Sequence, residues 1–256
     1  MNKFSELHCG LRVIFCKTDF LSQEFENIKN LKNDVVLITG NSDYPIVDNH
    51  IQAAPKNIKT WFAQNAISNS CILQPLPLGL ENKLESIRSG HGIGYLERVS
   101  LKENLLQRNI KITPTKKIYA NFNIETNYNY RSSVKSICIE ANHIDWEEPN
   151  LTINQFFDKI LDYEMVICPA GNGVDTHRLW EVLYSNRIPV TIKTGNYKIY
   201  ELYENYPIIV LDCKEQLYDF DLINEKYKEI KNKIFNQNML STSFWKQKII
   251  QAREEL

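Results

Sequence analysis

Long apolar runs are missing from this 256-residue chain. No stretch approaches the ~20 residues that a membrane-spanning helix needs, and the opening Met-Asn-Lys-Phe-Ser-Glu holds no signal-peptide core. The expected location is therefore the cytoplasm, with membrane association at most peripheral. Net charge is nearly absent too, at −1, which removes any global field for nucleic acid or an anionic membrane, so nucleic acid is not an expected partner. An anion site must be local. The six cysteines form no Cys-x-x-Cys pair, and the five histidines show no i,i+4 pairing. Both absences argue against a zinc site, and buried thiols beside apolar strands are expected in place of disulfides. No repeat of fixed period and no low-complexity tract is present.

What is present is the balance of an ordinary globular protein, with 43% hydrophobic and 24% charged residues. The length suits one large domain or two small ones. Short apolar runs alternate with helical patterns, the signature of βαβ units and parallel sheets. Strands are expected at 11–16, 35–39, 60–63 and 71–76, followed by helical stretches at 82–88 and 95–107. A polar connection at 109–117 marks the boundary between a domain of residues 1–112 and one of residues 113–256. Beyond it the pattern restarts, with strands at 118–122, 137–140, 165–168, 188–192 and 208–211. Helices are expected at 131–136, 152–161, 176–184, 222–235 and from about 243, the last one lying on the body of the protein through Phe244, Trp245, Ile249 and Ile250.

The segment 168–184, Cys-Pro-Ala-Gly-Asn-Gly-Val-Asp-Thr-His-Arg-Leu-Trp-Glu-Val-Leu-Tyr, carries the most chemistry. A buried strand runs into a Gly171-Asn172-Gly173 loop, where the glycines are expected to take positive φ and let the backbone approach a ligand. A helix then starts near Asp175 or Thr176, and its first N–H groups suit a diphosphate. Ligands of open α/β sheets bind beyond the C-terminal strand ends, where this loop lies. Arg178 and Glu181 fall one turn apart on a different side from Leu179, Val182 and Leu183. They read as a phosphate-neutralising cation and a carboxylate for ribose hydroxyls. The plainer reading is an i,i+3 pair on a wet surface, worth about 0.2–0.5 kcal/mol. Arg131, after the strand at 118–122, is a second phosphate candidate, or else an ordinary first-turn arginine.

Taken whole, the string resembles the donor-binding segment of exostosin-like glycosyltransferases. The likeness rests on Pro169, Gly171-Asn172-Gly173, Asp175, His177-Arg178, Trp180-Glu181 and Ile188-Pro189-Val190. It extends more weakly to the loop between Asn121 and Arg131 and to Pro77-Leu78-Gly79-Leu80. The resemblance implies an α/β fold of GT-B type: two facing Rossmann-like domains, each a parallel sheet with helices on both faces. It also implies sugar transfer from a nucleotide-sugar donor to a glycan or other hydroxyl-bearing acceptor, with no cofactor and no structural need for a metal. Arg131, Gly171, Asn172, Gly173, Asp175, His177, Arg178 and Glu181 are the expected donor-binding residues. Two positions depart from the family pattern. Ala170 stands where arginine is common, which removes a phosphate contact, and Asn186 stands where glycine is usual, a mild change because Asn tolerates the left-handed cap.

In the first half, loops after strands hold Asp19 and Asp43, either of which could act as general base toward an acceptor hydroxyl. Asp43 is the first choice, in a loop that Gly40 is expected to turn sharply. Both are also common turn or cap residues. Trp61 to Asn65 could shape an acceptor pocket, although Trp61 and Phe62 are more often core. The string Asp219-Phe220-Asp221 has the look of a metal-binding pair, but Asp221 reads better as a helix N-cap. An inverting, metal-independent glycosyltransferase is the reading these features favour. A non-catalytic nucleotide- or sugar-binding module of the same fold is the alternative, and a sugar epimerase or phosphatase a weaker third.

Overall fold

A computed structural model describes residues 12–81, 100, 102, 104 and 112–256. The helical stretches expected at 82–88 and across most of 95–107 lie outside the described residues. Among those described, the strands are β1 (Val13–Lys17), β2 (Val35–Gly40), β3 (Ile58–Ala63), β4 (Leu73–Pro75), β5 (Lys116–Ala120), β6 (Ile144–Trp146), β7 (Tyr163–Ile167), β8 (Ile188–Ile192) and β9 (Ile209–Leu211). The α-helices are α1 (Leu21–Lys29), α2 (Asp48–Ala53), α3 (Tyr128–Glu140), α4 (Ile153–Ile160), α5 (His177–Tyr184), α6 (Ile199–Tyr203), α7 (Phe220–Lys231) and α8 (Thr242–Glu254). None of these is long and apolar enough to cross a membrane.

The chain divides into two compact units, each with its own parallel sheet flanked by helices in Rossmann-like fashion. The first comprises Met1–Tyr95, Asn196–Leu202 and Asn236–Leu256, the second Leu96–Gly195 and Tyr203–Phe235. The sequence pattern groups all of 113–256 together, whereas in the structure the last helix, α8, packs on β2 of the first unit and buries Trp245 and Ile249 there. An amphipathic helix has no preference in sequence for which sheet covers its apolar side. That choice is made by the tertiary fold.

In the first unit the strands lie in simple order, β1-β2-β3-β4, all parallel. Every residue of β2 is buried, as a central strand covered on both faces requires. Leu21, Phe25 and Ile28 recur at helical spacing along α1 and are buried against this sheet, with Phe25 meeting the Trp61 ring edge-on at 5.6 Å. Trp61 and Phe62 are thus core residues, and the Trp61 indole N–H donates to Thr39 Oγ1 at 2.9 Å.

The turn after β2 corrects one expectation. The sharp turn expected at Gly40 falls on Asn41, which takes φ 57°. Gly40 is needed for close approach instead, since a Cβ there would lie 2.4 Å from Gln64 Oε1. Gln64 is itself buried, accepting from Asn41 N at 2.9 Å and facing the Pro77 carbonyl at 3.5 Å. With its amide held at both ends, Gln64 cannot swing aside. Gly40→Ala should therefore lose about 1–3 kcal/mol by overpacking, read from a urea unfolding midpoint. An unshifted midpoint would mean that the Gln64 contact is not a constraint.

The second sheet has the order β6-β5-β7-β8-β9, again all parallel. From β5 the chain first goes to β6 on one side and then crosses to β7 on the other. The order reverses between β5 and β7, which is the point where open α/β sheets form a crevice beyond their strand ends. Its core joins Ile118, Ala120, Met165, Ile167 and Val190 of the sheet to Val134, Ile137 and Cys138 of α3.

Here the strand expected at 137–140 proves to be the last turn of α3. Arg131, Val134, Ile137 and Cys138 are its buried residues, a spacing of three and four that is helical and not alternating. The edge strand is the short run β6, whose burial pattern is weaker. At the end of α5, Asn186 takes φ 56°. Its N–H bonds the Leu183 carbonyl at 3.0 Å and the Arg187 N–H bonds that of Val182 at 3.1 Å, so asparagine closes a Schellman cap here as a glycine would. At the start of α7 the N-cap is Asp219, whose carboxylate accepts from Leu222 N at 2.9 Å, and not Asp221. Three of the described cysteines are buried, while Cys71 and Cys213 are exposed.

Candidate functional site

The loops after β5 and β7 carry the residues singled out in the sequence and bring them to the β5/β7 switch point. β7 ends at Ile167, Cys168 to Thr176 form the loop, and α5 begins at His177. Burial pushes the Cys168 thiol up to about 12, so it is a neutral core group and no nucleophile.

Arg131, in the first turn of α3, is buried at 7% exposure. Its guanidinium donates from Nε to the Ala170 carbonyl at 2.9 Å, from Nη2 to that of Pro169 at 2.9 Å and from Nη1 to that of Asn123 at 2.7 Å. It clamps the two loops together. Burial, and secondarily the nearby Arg178, lower its pKa to about 10, which leaves it charged at neutral pH. The Arg131 clamp also explains Gly171. Neither glycine of the loop has positive φ, contrary to the sequence expectation. A Cβ on Gly171 would instead lie 3.0 Å from Arg131 Nη2. Asn127 adds a further tie, donating to the Gly171 carbonyl at 3.1 Å. Asn172, at the loop's tip, is exposed.

Asp175 is fully inside, at 2% exposure, where its carboxylate accepts from Trp180 Nε1 at 2.8 Å and the Tyr203 hydroxyl at 2.9 Å. It anchors the start of α5 and is turned away from solvent. Thr176 is the N-cap residue, yet its side chain makes no cap bond, and its buried hydroxyl has no hydrogen-bond partner among the described residues. Leaving a buried hydroxyl unpaired costs roughly 1–3 kcal/mol.

Arg178 is the partly exposed cation of the group, its side chain 30% accessible. The guanidinium lies 3.6 Å from the centroid of the Phe156 ring on α4, and Nη1 donates to the Asn121 carbonyl at 2.7 Å. Asn121 is held in turn by two bonds to the Glu147 and Glu148 carbonyls, at 3.1 and 3.0 Å. Glu181 does not project into open space. It is 5% exposed and its carboxylate receives Lys102 Nζ at 2.6 Å, with Arg178 Nε 3.3 Å away but outside hydrogen-bond alignment. Burial opposes its ionisation, but Lys102 and Arg178 outweigh that and hold the carboxyl below its ordinary value. The sequence reading of Glu181 as a ribose-binding side chain, and the plainer reading of a wet surface pair, both give way to a buried ion pair. His177 is half-buried and close enough to favour the same carboxylate.

Three cations gather beside the start of α5: Lys102 and Arg178 flank the Glu181 carboxylate, and Arg131 lies near enough to Arg178 to feel its charge, while the Asp175 carboxylate is turned inward. Lys102 and Phe156 are the contributors that sequence reasoning missed, and Asn121 entered it only as the edge of the loop before Arg131. Lys102 lies 79 positions from its partner, and no periodicity announces such a pair.

In the first unit, the parallel pairing of Lys17 with Gly40 puts the loops after β1 and β2 side by side. Asp19 and Asp43 are both exposed there. Slight burial works against Asp19's ionisation, but the Ser42 hydroxyl and Lys17, whose Nζ is 3.2 Å away, hold its carboxyl below the ordinary range. Asp43 does not cap α2, whose N-cap is Val47. Among the described residues no three His, Cys, Asp or Glu side chains gather as a metal-binding group. No protein-family model matches the chain, and no curated protein matches it either.

Proposed function

We propose that the chain is a glycosyltransferase of GT-B type, its second unit binding a nucleotide-sugar donor at the β5/β7 switch point and its first unit receiving a hydroxyl-bearing acceptor. The observation that carries this reading is Arg178: a partly exposed guanidinium, aimed by Phe156 and the Asn121 carbonyl, beside the start of α5. A departing nucleoside diphosphate needs such neutralisation, and two arginines with helix N–H groups can supply it. The segment's resemblance to exostosin-like donor sites points the same way. Transfer in this reading is a direct displacement with inversion at the anomeric carbon and does not depend on added metal. A thermal-shift screen of nucleoside diphosphates and nucleotide sugars tests it, since a ligand at one hundred times its Kd stabilises by about 2.7 kcal/mol. No shift with any of them, or transfer that EDTA abolishes and Mn²⁺ restores, would overturn it.

Asp43 is the proposed general base and Asp19 the reserve. Asp19 is the poorer base because its proton affinity is already lowered by Lys17 and Ser42. Asp43→Asn should leave melting temperature and donor affinity close to wild type, as a surface change outside any helix cap, and reduce turnover by about 10²–10⁴-fold. Single-turnover transfer on the purified variant checks this. If the variant keeps full turnover, Asp43 is not the base; if neither aspartate matters, the non-catalytic binding module becomes the better account.

A further inference from the structure

A cavity of about 440 Å³ opens within the first unit, built from three segments distant in sequence: 47–52 around the start of α2, 67–70 after β3, and 196–197. The volume falls in the range of small-molecule sites, roughly 300–1,000 Å³. Hydrogen bonds hold the third segment in place, with Asn69 Nδ2 donating to the Asn196 carbonyl at 3.0 Å and Ile199 N to that of Ala66 at 2.9 Å. The same Ala66 pairs with Ile46 in an isolated parallel bridge, which ties the first and second segments. Tyr197 lines the cavity, its ring backed by Tyr200 at 6.0 Å and nearly parallel to it, at 12°.

The lining decides what can bind. Gln52, Asn69, Ser68 and Ser70 carry groups that both donate and accept, and Asp48 adds a carboxylate. Among the described lining residues there is no lysine or arginine. An anion would meet Asp48 with no cation to offset it, whereas a ring of hydroxyls can bond amides, hydroxyls and a carboxylate at once. The Tyr197 ring and the apolar side chains of Val47, Ile51 and Ile67 suit the C–H faces of a sugar ring. We propose that this cavity is a binding site for a neutral saccharide. On the glycosyltransferase reading, on which this role alone rests, that saccharide belongs to the acceptor, which makes the acceptor a neutral glycan and not a phosphorylated or lipid-linked anion.

The test is titration of the full chain, by calorimetry and ligand-observed NMR, with methyl glycosides of glucose, galactose, mannose and N-acetylglucosamine, and with lactose, maltose and cellobiose. Glucose 6-phosphate and a nucleoside diphosphate serve as anionic comparisons. At least one neutral saccharide should bind saturably, and Tyr197→Ala and Gln52→Ala should each raise its Kd by about five- to tenfold. Gln52 is exposed on α2, so its removal leaves the fold intact even if Tyr197→Ala loosens the Tyr197–Tyr200 stack. Nucleoside diphosphate affinity should not change in either variant. The proposal falls if none of the neutral saccharides binds, if glucose 6-phosphate binds better than its neutral counterparts, or if neither substitution alters the saccharide's Kd. Saccharide binding without nucleotide binding would sink the glycosyltransferase reading and leave the cavity's assignment standing, while the reverse result would do the opposite.

Discussion

Arg178→Ala should weaken nucleoside diphosphate binding by about 10- to 100-fold, the equivalent of one hydrogen bond to a charged group at about 1.5–3 kcal/mol. Arg178 is the partly exposed cation at the switch point, while Arg131 spends three donors on the carbonyls of its own loops. Removing Arg178 also loses the contact with Phe156 and the bond to the Asn121 carbonyl, so a modest stability loss of about 1–2 kcal/mol accompanies it. Arg178→Lys separates the two effects. Lysine keeps the charge but cannot present a planar fork while lying flat on Phe156, so affinity should recover only in part. Calorimetric titration of all three proteins at one ionic strength reads the result. Equal affinity in wild type and Arg178→Ala would remove the switch point from consideration as a phosphate site.

The largest effect on stability should come from Glu181→Ala. Glu181 and Lys102 are nearly inaccessible, with side chains 7% and 10% exposed. Deleting the carboxylate strands a buried ammonium and places Arg178 beside it without compensation. Breaking a buried pair from one side costs about 3–5 kcal/mol. Glu181→Gln keeps the shape and an acceptor for Lys102 and should cost less. The pair also gives stability a pH dependence with a definite sign. The folded-state pKa of Glu181 is lowered, so its contribution is complete above the ordinary glutamate value and fades as pH falls below that value toward the folded one. Acid unfolding curves should accordingly be steeper for wild type than for Glu181→Gln. Matching acid limbs, or an alanine variant as stable as wild type, would show that the pair is not held as the geometry describes.

Much of the architecture could be read from residue order. Apolar runs such as Val35 to Ile38 and Met165 to Ile167 have no polar face, and a run without one must be covered on both sides, so the parallel sheets followed from these runs and their alternation with helical stretches. Helix α5 was legible because Leu179, Val182 and Leu183 recur at its period. The misread stretch at 137–140 shows the limit: four apolar or polar residues in a row fit a strand or a helix turn equally, and only packing of Ile137 and Cys138 under Val134 selects the helix.

For the site, the sequence by itself determined that a glycine loop, a helix start and a cation fall together after a buried strand, because those features are contiguous from Pro169 to Glu181 and need only local geometry. It also determined that Asn186 can replace glycine at the helix end, a matter of one residue's φ. Only the tertiary structure decided what each side chain does there. Arg131 became a clamp because its loop partners lie 38 and 39 positions away. Asp175 turned inward because Trp180 and Tyr203 offer donors inside the fold. Glu181 became half of a buried pair because Lys102 arrives from a different part of the chain. Charge, burial and hydrogen bonding act through space, and residues far apart in sequence supply them. The chemistry available at the crevice was therefore set by which partners the fold brought within about 3 Å, the reach of a hydrogen bond.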